Sequence, residues 1–567
     1  MTIDLPPEMP PVLAKMDQLA SLYNKRKSPF VSRTVGGLRV EVAGFPYLKR
    51  RQVIQLLEAS RTPSGFIRAL AKTYHLQGNL LVQVLYRQER DTVFVYVVQK
   101  RLSSLSGPES ITGYFQDLTG EENLERSEFE RYRLLANLKA RRQGVNYSVT
   151  YSKSDDDGVS IAFKPNQSFD VDRTKFNLNV GNQGNRFVGR YFAGAGVSHT
   201  FYNGIEAKVD YISGVVDWGE VDGGKHYDGA AFNLNYPSTF GLNSFDVLYS
   251  AYGREVTLSE ISATNILGEE IPDFCLDPAQ QVCSSPLTDN LQTMEEQKEK
   301  LNIDGVTTAI KLSNETVLYS QHRKRLTFSK SLEWIDDHID SDERGVLLDE
   351  SYAVGSLALN YINQPPSELA DVESFFKLQL KGGLSGDSGS FSSYPQDQED
   401  TVAIGKRTAE FLLAQPSMRI GFNLSSRARV NLDLSGQISD GVQLPQMQQY
   451  VLGGISQLRA YLPGVLIGDT GGYGKLSLSG LIFRGTSFTI TSSLFAEYGM
   501  ARFEDSSGGA GGATRGLSDA GVRLLMNFGS AADLELITAH SISEKNINKE
   551  ELELSEVDFF AKLRIHF

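Results

Sequence analysis

The sequence lacks the long apolar runs from which membrane-spanning helices are built. No stretch of about 18 or more apolar residues occurs in the 567 residues, which excludes transmembrane helices. The strands of a membrane-spanning barrel escape this criterion, because outward apolar residues alternate with inward polar residues and the overall hydropathy stays close to neutral. The mean hydropathy of this chain is -0.25. Two classes therefore remain open, a soluble protein and a β-barrel.

The sequence also lacks an excess of basic residues and an N-terminal signal, and it has only two cysteines. The net charge is -13, so nucleic acid is not an expected partner. Met1–Pro7 lacks the charged start and apolar stretch of a signal peptide, and a barrel would imply that a signal is missing from this sequence. The only cysteines, Cys275 and Cys283, lie in a polar stretch without metal-ligand partners. We expect them to form a local disulfide in an oxidising compartment, with free thiols as the alternative.

Signatures of enzymatic chemistry are missing as well. The chain contains neither a zinc-binding HExxH nor a phosphate-cradling GxxxxGK[ST] motif. It also offers no credible Ser-His-acid set for nucleophilic catalysis. We therefore expect no catalytic site, no metal and no cofactor.

The first 170 residues combine helical and strand periodicity. Apolar residues from Val12 to Tyr23 follow helical spacing, and from Leu38 a strand, two helices and two strands follow as a compact β-α-α-β-β unit. A second, partial copy contains a long charged helix that ends at Gly144 and then a hairpin. We predict, in chain order, an N-terminal helix and linker at 1–36, a first module at 37–103 and a second module at 104–170.

Alternating strands dominate residues 171–567. Phe176, Leu178 and Val180, for example, alternate with polar neighbours, and we count about sixteen such strands. Many strands joined alternately by short and long connections are typical of an outer-membrane barrel rather than a soluble sandwich. We predict short connections near 236–243, 313–315, 364–368 and 484–487, and long polar ones at 256–302, 331–349, 383–400 and 439–471.

The even strand number and the last strand agree with this interpretation. An even number places both ends of the barrel on the side of the modules. The last strand alternates up to Phe567, and a terminal aromatic is the mark by which barrel-assembly machinery recognises its clients. The predicted fold is an all-β transmembrane barrel of about 16 antiparallel strands, preceded by an N-terminal helix and two small α+β modules.

A long loop carries the first motif that resembles a known family. Gly453-Gly454 is followed by Leu458-Arg459-Ala460-Tyr461 and then by Gly468-Asp469. This pattern resembles the two-partner secretion transporters of the hemolysin-activator and filamentous-hemagglutinin transporter type, which share a superfamily with the barrel-assembly proteins. In that superfamily a long loop carries a Gly-Gly stretch, a Val-Arg-Gly-Tyr-like tetrapeptide and Gly-Asp. Here Ala460 replaces a glycine, which removes some backbone freedom.

A second motif lies on a strand that follows the loop. The sequence from Phe495 through Glu497 to Gly499 is similar to the family's Phe-x-Asp-x-Gly, and alternation along Phe488–Tyr498 turns Glu497 towards the lumen. The resemblance implies that Arg459 folds into the barrel and pairs with Glu497. Two unrelated charges, one in a surface loop and one in a wet pore, are the alternative.

The resemblance covers the whole chain and implies a function. A transporter of this kind carries a partner exoprotein of the hemolysin, adhesin or contact-dependent-inhibition-toxin type across the bacterial outer membrane by type V secretion, without nucleotide hydrolysis. The modules, which are similar to POTRA domains, would lie in the periplasm and bind the unfolded partner by adding a strand to a sheet edge. The helix at Val12–Tyr23 would be a removable pore plug, with Lys25–Lys27 starting its linker, or alternatively a helix packed on the modules.

Other partners and two competing functions follow from the same features. Barrel-assembly machinery and outer-membrane lipid are expected partners, and the basic run His322–Arg325, placed near the outer rim, could meet lipopolysaccharide. The first alternative function is a factor that assembles barrels or autotransporters, although two modules favour secretion. The second is a surface-anchored outer-membrane enzyme, which the missing catalytic set argues against.

We expect Cys275 and Cys283 to form a disulfide outside the cell, because the strand count puts the 256–302 connection on the long-loop side. Intact cells treated with an impermeant thiol reagent should show labelling only after reduction. A Cys275→Ser, Cys283→Ser double variant is the blank. If reduction produces no new labelling, either the topology or the bridge is wrong.

Overall fold

The computed structural model places most of the chain. It describes residues 2–24, 30–153, 158–184, 190–215, 226–265, 270–271, 291–321, 323–342, 345–364, 372–387, 391–392, 403–404, 407–504, 513–547, 552 and 555–567. Among these residues, no helix has the length and apolar character needed to cross a membrane.

The first module is built around a sheet with the strand order β1-β4-β5-β3-β2. Its elements are β1 (Val12–Leu13), α1 (Met16–Asn24), β2 (Val31–Val35), β3 (Leu38–Ala43), α2 (Arg50–Ala59), α3 (Pro63–Leu76), β4 (Val82–Glu89) and β5 (Thr92–Gln99). Helices α2 and α3 bury Val53, Phe66 and Leu70 against one face of the sheet. Helix α3 begins at Pro63 and is capped by the Thr62 hydroxyl, which accepts a hydrogen bond from the Gly65 amide at 3.1 Å.

Two segments from the predicted N-terminal helix and linker, β2 and α1, belong to the first module. β2 and β3 form a hairpin because Gly36 and Gly37, with φ of 58° and 82°, supply the two-residue turn that non-glycine residues rarely form. Helix α1 packs Leu19 on the opposite face of the sheet from α2 and α3. In this structure α1 therefore lies on the first module and not in the barrel; Lys25–Lys27 lies outside the described residues.

The second module repeats the same element order. It contains β6 (Leu102–Ser106), α4 (Glu109–Thr112), a 3-10 helix (Gly113–Leu118), α5 (Arg126–Gln143), β7 (Val145–Lys153) and β8 (Val159–Ser168). Its strand order β6-β8-β7 matches β3-β5-β4 of the first module. Phe115 stacks between Phe129 and Phe163, with ring centroids 4.8 and 4.7 Å apart. Gly144 ends α5 in the left-handed conformation, as its position after the last helical turn predicts.

The remaining chain forms a closed antiparallel barrel of sixteen long strands, which confirms the predicted fold class. The strands of residues 174–567 are β9 (Thr174–Gly181), β10 (Tyr191–Thr200), β11 (Glu206–Val215), β12 (His226–Ser238), β13 (Gly241–Asn265), β14 (Glu270–Ile271), β15 (Leu291–Gln321), β16 (Lys324–Ser341), β17 (Gly345–Asn363), β18 (Val372–Asp387), β19 (Phe391–Ser392), β20 (Ala403–Ile404), β21 (Leu412–Asn423), β22 (Ala428–Ser439), β23 (Tyr450–Leu452), β24 (Leu466–Gly468), β25 (Thr470–Arg484), β26 (Thr489–Arg502), β27 (Arg515–Phe528), β28 (Ala532–Lys545) and β29 (Phe559–His566). The two- and three-residue strands β14, β19, β20, β23 and β24 lie outside the count of sixteen.

The two faces of the barrel wall differ in polarity. Leu312, Leu476 and Leu494 point outward, and each is more than half exposed. A continuous belt of such residues is unfavourable in water but matches the hydrocarbon of a bilayer. β9 pairs with both β10 and β29, so the sheet has no open edge within that belt. The barrel therefore has the surface of a transmembrane protein.

Two of the predicted connections are wrong, and a third, 256–302, is shorter than predicted because β13 and β15 pair as far as Asn265 and Leu291. Ser313–Glu315 lies within β15 and pairs with β13 and β16; β15 ends at Gln321, and β16 begins at Lys324. The predicted long connection at 331–349 is almost entirely strand, because β16 and β17 pair up to Ser341 and Gly345. β16 has 18 residues, whereas about 9–11 suffice to cross a bilayer. Residues 336–344, Asp-Asp-His-Ile-Asp-Ser-Asp-Glu-Arg, are mostly charged, so this stretch resembles a loop in sequence although Ile335 and Ile339 are buried in the barrel.

The basic run also differs from its predicted place. Lys324 begins β16 at the short-turn end, and Arg323–Arg325 lines a cavity together with Leu134 of α5. His322 lies outside the described residues. The predicted position at the outer rim is therefore wrong, since this end of the barrel carries the modules.

Arg142 of α5 joins the second module to the short-turn end of the barrel. Its guanidinium donates to the Gly204 carbonyl at 3.0 Å and contacts the side chains of Glu206 and Asn235. The Tyr114 hydroxyl donates to the Pro237 carbonyl beside it. These contacts fix the module to two turns of the barrel through main-chain groups.

We expect Arg142→Ala to loosen the second module, since hydrogen bonds to a charged group contribute about 1.5–3 kcal/mol each. Chymotrypsin should cleave the purified full chain near Phe169 severalfold faster, while heat-modifiable migration of the barrel on gels stays normal. Arg141→Ala is the matched control, because Arg141 is exposed. Equal cleavage rates for the two variants would contradict this role of Arg142.

Candidate functional site

The loop between β22 and β25 folds into the barrel as a hairpin. β23 pairs with β24 in the register Tyr450↔Gly468, Val451↔Ile467 and Leu452↔Leu466. The tip, residues 453–465, packs against the inner wall of β26, β27 and β28, and the shared core contains Leu458, Tyr461, Phe495 and Ile537. The segment from Tyr450 to Gly468 is called the inward hairpin below.

Gly468 and Asp469 hold the base of the inward hairpin. A Cβ at Gly468 would collide with the Arg502 main chain, so glycine allows this close approach. Asp469 is fully buried, and its two carboxylate oxygens accept from the amides of Leu444 and Glu504, each at 2.9 Å. One side chain thereby ties the start of the loop to the end of β26.

The tip turns sharply at the Gly-Gly pair and at Leu458. Gly453 and Gly454 have φ of 118° and 87°, and the Gly454 amide donates to the Tyr461 carbonyl at 2.8 Å. Leu458 has φ of 50°, a region that non-glycine residues seldom adopt. Ala460 does not lie in that region, so the glycine that the family has there is not needed for this conformation. The strained residue is instead Leu458, whose side chain is fully buried.

Arg459 and Glu497 meet at the centre of this contact. The guanidinium bonds to Glu497 Oε1, and the Arg459 amide donates to Glu497 Oε2 at 3.2 Å. Arg459 Nε also donates to the Ile455 carbonyl at 2.9 Å, which stiffens the tip. The Arg459 and Glu497 side chains are 9% and 0% exposed. The structure thus brings together the two residues that the sequence pairs, and each carboxylate oxygen of Glu497 has a donor on the hairpin.

Phe495 and Gly499 flank Glu497 on the same face of β26. The Arg459 guanidinium lies 4.9 Å from the centroid of the Phe495 ring, a cation–π contact. A Cβ at Gly499 would stand 2.8 Å from both Leu452 Cδ1 and Leu458 Cδ1. The Phe-x-Glu-x-Gly sequence therefore supplies, at alternate positions, a platform, an ion-pair partner and space for the hairpin.

Three further residues hold the hairpin and were not predicted. Asp519 on β27 accepts from the Ala460 amide at 2.8 Å. The Tyr473 hydroxyl donates to Glu497 at 2.8 Å, and the Tyr461 hydroxyl donates to Ser541 at 2.6 Å. Asp519 was recognisable in principle, because alternation along β27 turns it inward. The sequence does not reveal that it stands opposite Glu497, since that depends on the strand register.

The chain just before β29 completes the seat of the hairpin. The Leu462 amide donates to the Ser555 carbonyl, and the Val557 amide donates to the Ala460 carbonyl, both at 2.8 Å. The hairpin is therefore held by β26, β27, β28 and the approach to the last strand. At the end of that strand, Phe567 exchanges main-chain hydrogen bonds with Phe176 of β9 at 2.9 and 3.2 Å. Cys275 and Cys283 lie outside the described residues.

The electrostatics of the seat depend on Arg459. Glu497 and Asp519 face each other across neighbouring strands, and like charges so placed repel. The guanidinium of Arg459 contacts Glu497 and supplies a positive charge beside the two carboxylates. A cavity of about 830 Å³ borders Arg459 and is lined mainly by charged and polar side chains, including the ion pair of Arg523 with Glu535 at 2.6 Å. The seat is therefore a buried electrostatic contact beside a polar lumen.

These observations define the class of the fold. It is a sixteen-stranded transmembrane barrel that holds one of its own long loops inside and carries two α+β modules at its short-turn end. Solved structures of similar fold include two described as CdiB. CdiB from Escherichia coli is similar with a TM-score of 0.64 and 12% sequence identity, over 97% of each chain. CdiB from Acinetobacter baumannii is similar with a TM-score of 0.57 and 12% identity, over 95% of this chain and 90% of that one. No family model and no curated protein matches the sequence.

We expect Gly499→Leu to expel the tip of the hairpin, because its side chain would occupy the space of Leu452 and Leu458. Trypsin should then cleave the purified protein after Arg459, which is 7% exposed in the intact protein. Gly480→Leu on β25 is the matched control, since a Cβ there meets nothing closer than 4.0 Å. Resistance of the Gly499→Leu variant to cleavage at Arg459 would argue against the packing described for the tip.

Proposed function

We propose that this chain translocates a partner exoprotein across the bacterial outer membrane by two-partner, type V secretion. The modules would lie in the periplasm and receive the unfolded partner, and the barrel would conduct it without nucleotide hydrolysis. Barrel-assembly machinery would insert the chain by way of the strand that ends at Phe567, and outer-membrane lipid would surround the apolar belt. The exported partner would be of the hemolysin, adhesin or contact-dependent-inhibition-toxin type.

The observation that carries this proposal is the seat of the inward hairpin. The Arg459–Glu497 contact joins the two motifs that resemble two-partner secretion transporters, which lie 38 residues apart in the chain. Phe495, Gly499 and Asp469 act in the same contact, so the motif residues form one physical unit. The fold shared with the two CdiB structures supports the same conclusion.

A barrel-assembly factor is the second candidate, since such proteins belong to the same superfamily. The presence of two modules favours secretion over assembly, because assembly factors commonly carry more. Export of a defined exoprotein and assembly of other barrels can be separated by measuring both in cells that lack this chain.

We expect Arg459→Ala and Glu497→Ala each to abolish export while the barrel still inserts. Removing one member of a deeply buried pair leaves the other uncompensated, which costs about 3–5 kcal/mol, and the hairpin should leave its seat. The barrel should persist, since the hydrogen bonds of its wall are untouched. Secretion of a partner exoprotein produced together with this chain is the measurement, with heat-modifiable gel migration as the folding control.

The double variant should be little worse than either single variant, because both remove the same interaction. Arg523→Ala is the matched control: it breaks a lumen ion pair with Glu535 that does not hold the hairpin, and export should continue. Normal export by Arg459→Ala would sink the proposed role of the loop arginine.

A further inference from the structure

The chain's own first residues lie on the outer edge of the second module's sheet. Ile3 pairs with Tyr147 of β7 in parallel orientation. The Tyr147 amide donates to the Thr2 carbonyl at 2.6 Å, and the Asp4 amide donates to the Tyr147 carbonyl at 3.1 Å. Residues 2–4 thus extend the sheet by a short additional strand.

Two side chains of α5 bind the main chain of this strand. Asn137 Oδ1 accepts from the Ile3 amide at 2.7 Å, and Arg133 Nε donates to the Ile3 carbonyl at 2.6 Å. Arg133 is 6% exposed, so its guanidinium is held in the module rather than in water. The Ile3 side chain is itself fully buried in the core of the module. The site therefore consists of polar groups that bind the main chain of the strand and one apolar pocket for the Ile3 side chain.

The first module carries a strand of the same kind on its corresponding edge. β1 runs parallel to β4, with Val12 opposite Leu85 and Leu13 opposite Tyr86. The Ala14 amide donates to the Tyr86 carbonyl at 3.0 Å. Because β4 and β7 hold the same place in their modules, residues 2–14 cover the same edge twice.

The connection between the two strands is extended and anchored. Four prolines between residues 6 and 11 favour an extended backbone, and His75 Nε2 lies 2.9 Å from the Pro6 carbonyl. Helix α1 follows and is clamped by Tyr23, whose hydroxyl lies 2.7 Å from the Glu41 carbonyl and 2.9 Å from the Val95 carbonyl. A single segment thus bridges both modules.

This cover is small compared with the strands beneath it. β1 pairs with two of the eight residues of β4, and residues 2–4 bridge to β7, which has nine residues, at Tyr147 alone. A longer extended peptide could form more main-chain hydrogen bonds on either edge. Recognition through the main chain tolerates many sequences, which suits an unfolded polypeptide.

On the basis of the proposed export function, we propose that the β4 and β7 edges are the docking sites for extended segments of the exported polypeptide, and that residues 2–14 occupy these edges until the polypeptide displaces them. The occupant is an unfolded chain with an aliphatic side chain to fill the Ile3 pocket. Residues 2–14 are then an internal competitor that keeps the modules closed to weakly binding chains.

The experiment uses the full chain in detergent and a fluorescent peptide with the sequence of residues 2–14 as the probe. Ile3→Asp should open the β7 edge, because it places a charge in an apolar pocket. The probe should bind this variant at least about tenfold more tightly than the intact chain, in which the tethered segment competes at a high effective concentration. Glu8→Gln, in the connection between the two strands, is the matched control and should behave as the intact chain.

Adding Asn137→Ala to Ile3→Asp should abolish the gain, since it removes an acceptor for the main chain of the probe. Equal binding of the probe to the intact chain and to the Ile3→Asp variant would contradict the proposal that residues 2–14 block the β7 edge. If the probe does not bind the Ile3→Asp variant, the β7 edge is not a binding site for extended peptides. Unchanged binding after Asn137→Ala would overturn the site as described.

A second measurement separates docking of substrate from the export function itself. Reduced, carboxymethylated α-lactalbumin, a permanently unfolded polypeptide, should displace the probe from Ile3→Asp, whereas native α-lactalbumin should not. If the unfolded protein fails to compete although the probe binds, the edges serve only the chain's own segment and the docking proposal is wrong. The export function would be untouched by that result, since secretion by the intact chain tests it.

Discussion

Closure of the sheet between β9 and β29 is the constraint on which the rest of the barrel depends. Inside a bilayer no water can satisfy an unpaired main-chain amide, so a membrane-spanning sheet must have no open edge. Once the sheet is closed, alternation along every strand produces two surfaces, an apolar one towards lipid and a polar one towards an enclosed lumen. The inward hairpin lies in this enclosed polar space.

The lumen explains why the inward hairpin is held by charge. Glu497 and Asp519 face each other on neighbouring strands. Their carboxylates repel each other unless a cation on the lumen side compensates their charge. Arg459 supplies the cation, and the amides of Arg459 and Ala460 supply further donors. An apolar side chain in place of Arg459 could occupy the same space, but it would leave the buried Glu497 carboxylate without its charged partner. The hairpin and this part of the wall are therefore complementary, and each is poorly satisfied without the other.

The modules show a related principle in water. Both sheets present an outer strand, β4 or β7, whose main-chain groups invite a further strand. The chain covers these edges with its own residues 2–14, in the same way that many sheet proteins protect their edges. The covering segment pairs with only a few residues of either strand, as displacement by a longer polypeptide in the proposed exporter would require. Arg142 holds the second module against the barrel turns.

The sequence by itself determined the fold class and the members of the central contact. Strict alternation predicted a barrel of about sixteen strands, because the two faces of each strand meet lipid and water, and parity alone turned Glu497 inward. Tertiary structure decided the rest. The full lengths of β16 and β17 were not predictable, since the run of charged residues at 336–344 resembles a polar loop. Asp519, Tyr473 and Ser541 joined the site only through strand register. Ile3 reached the second module through contacts with residues 130 or more positions away, which no local pattern encodes.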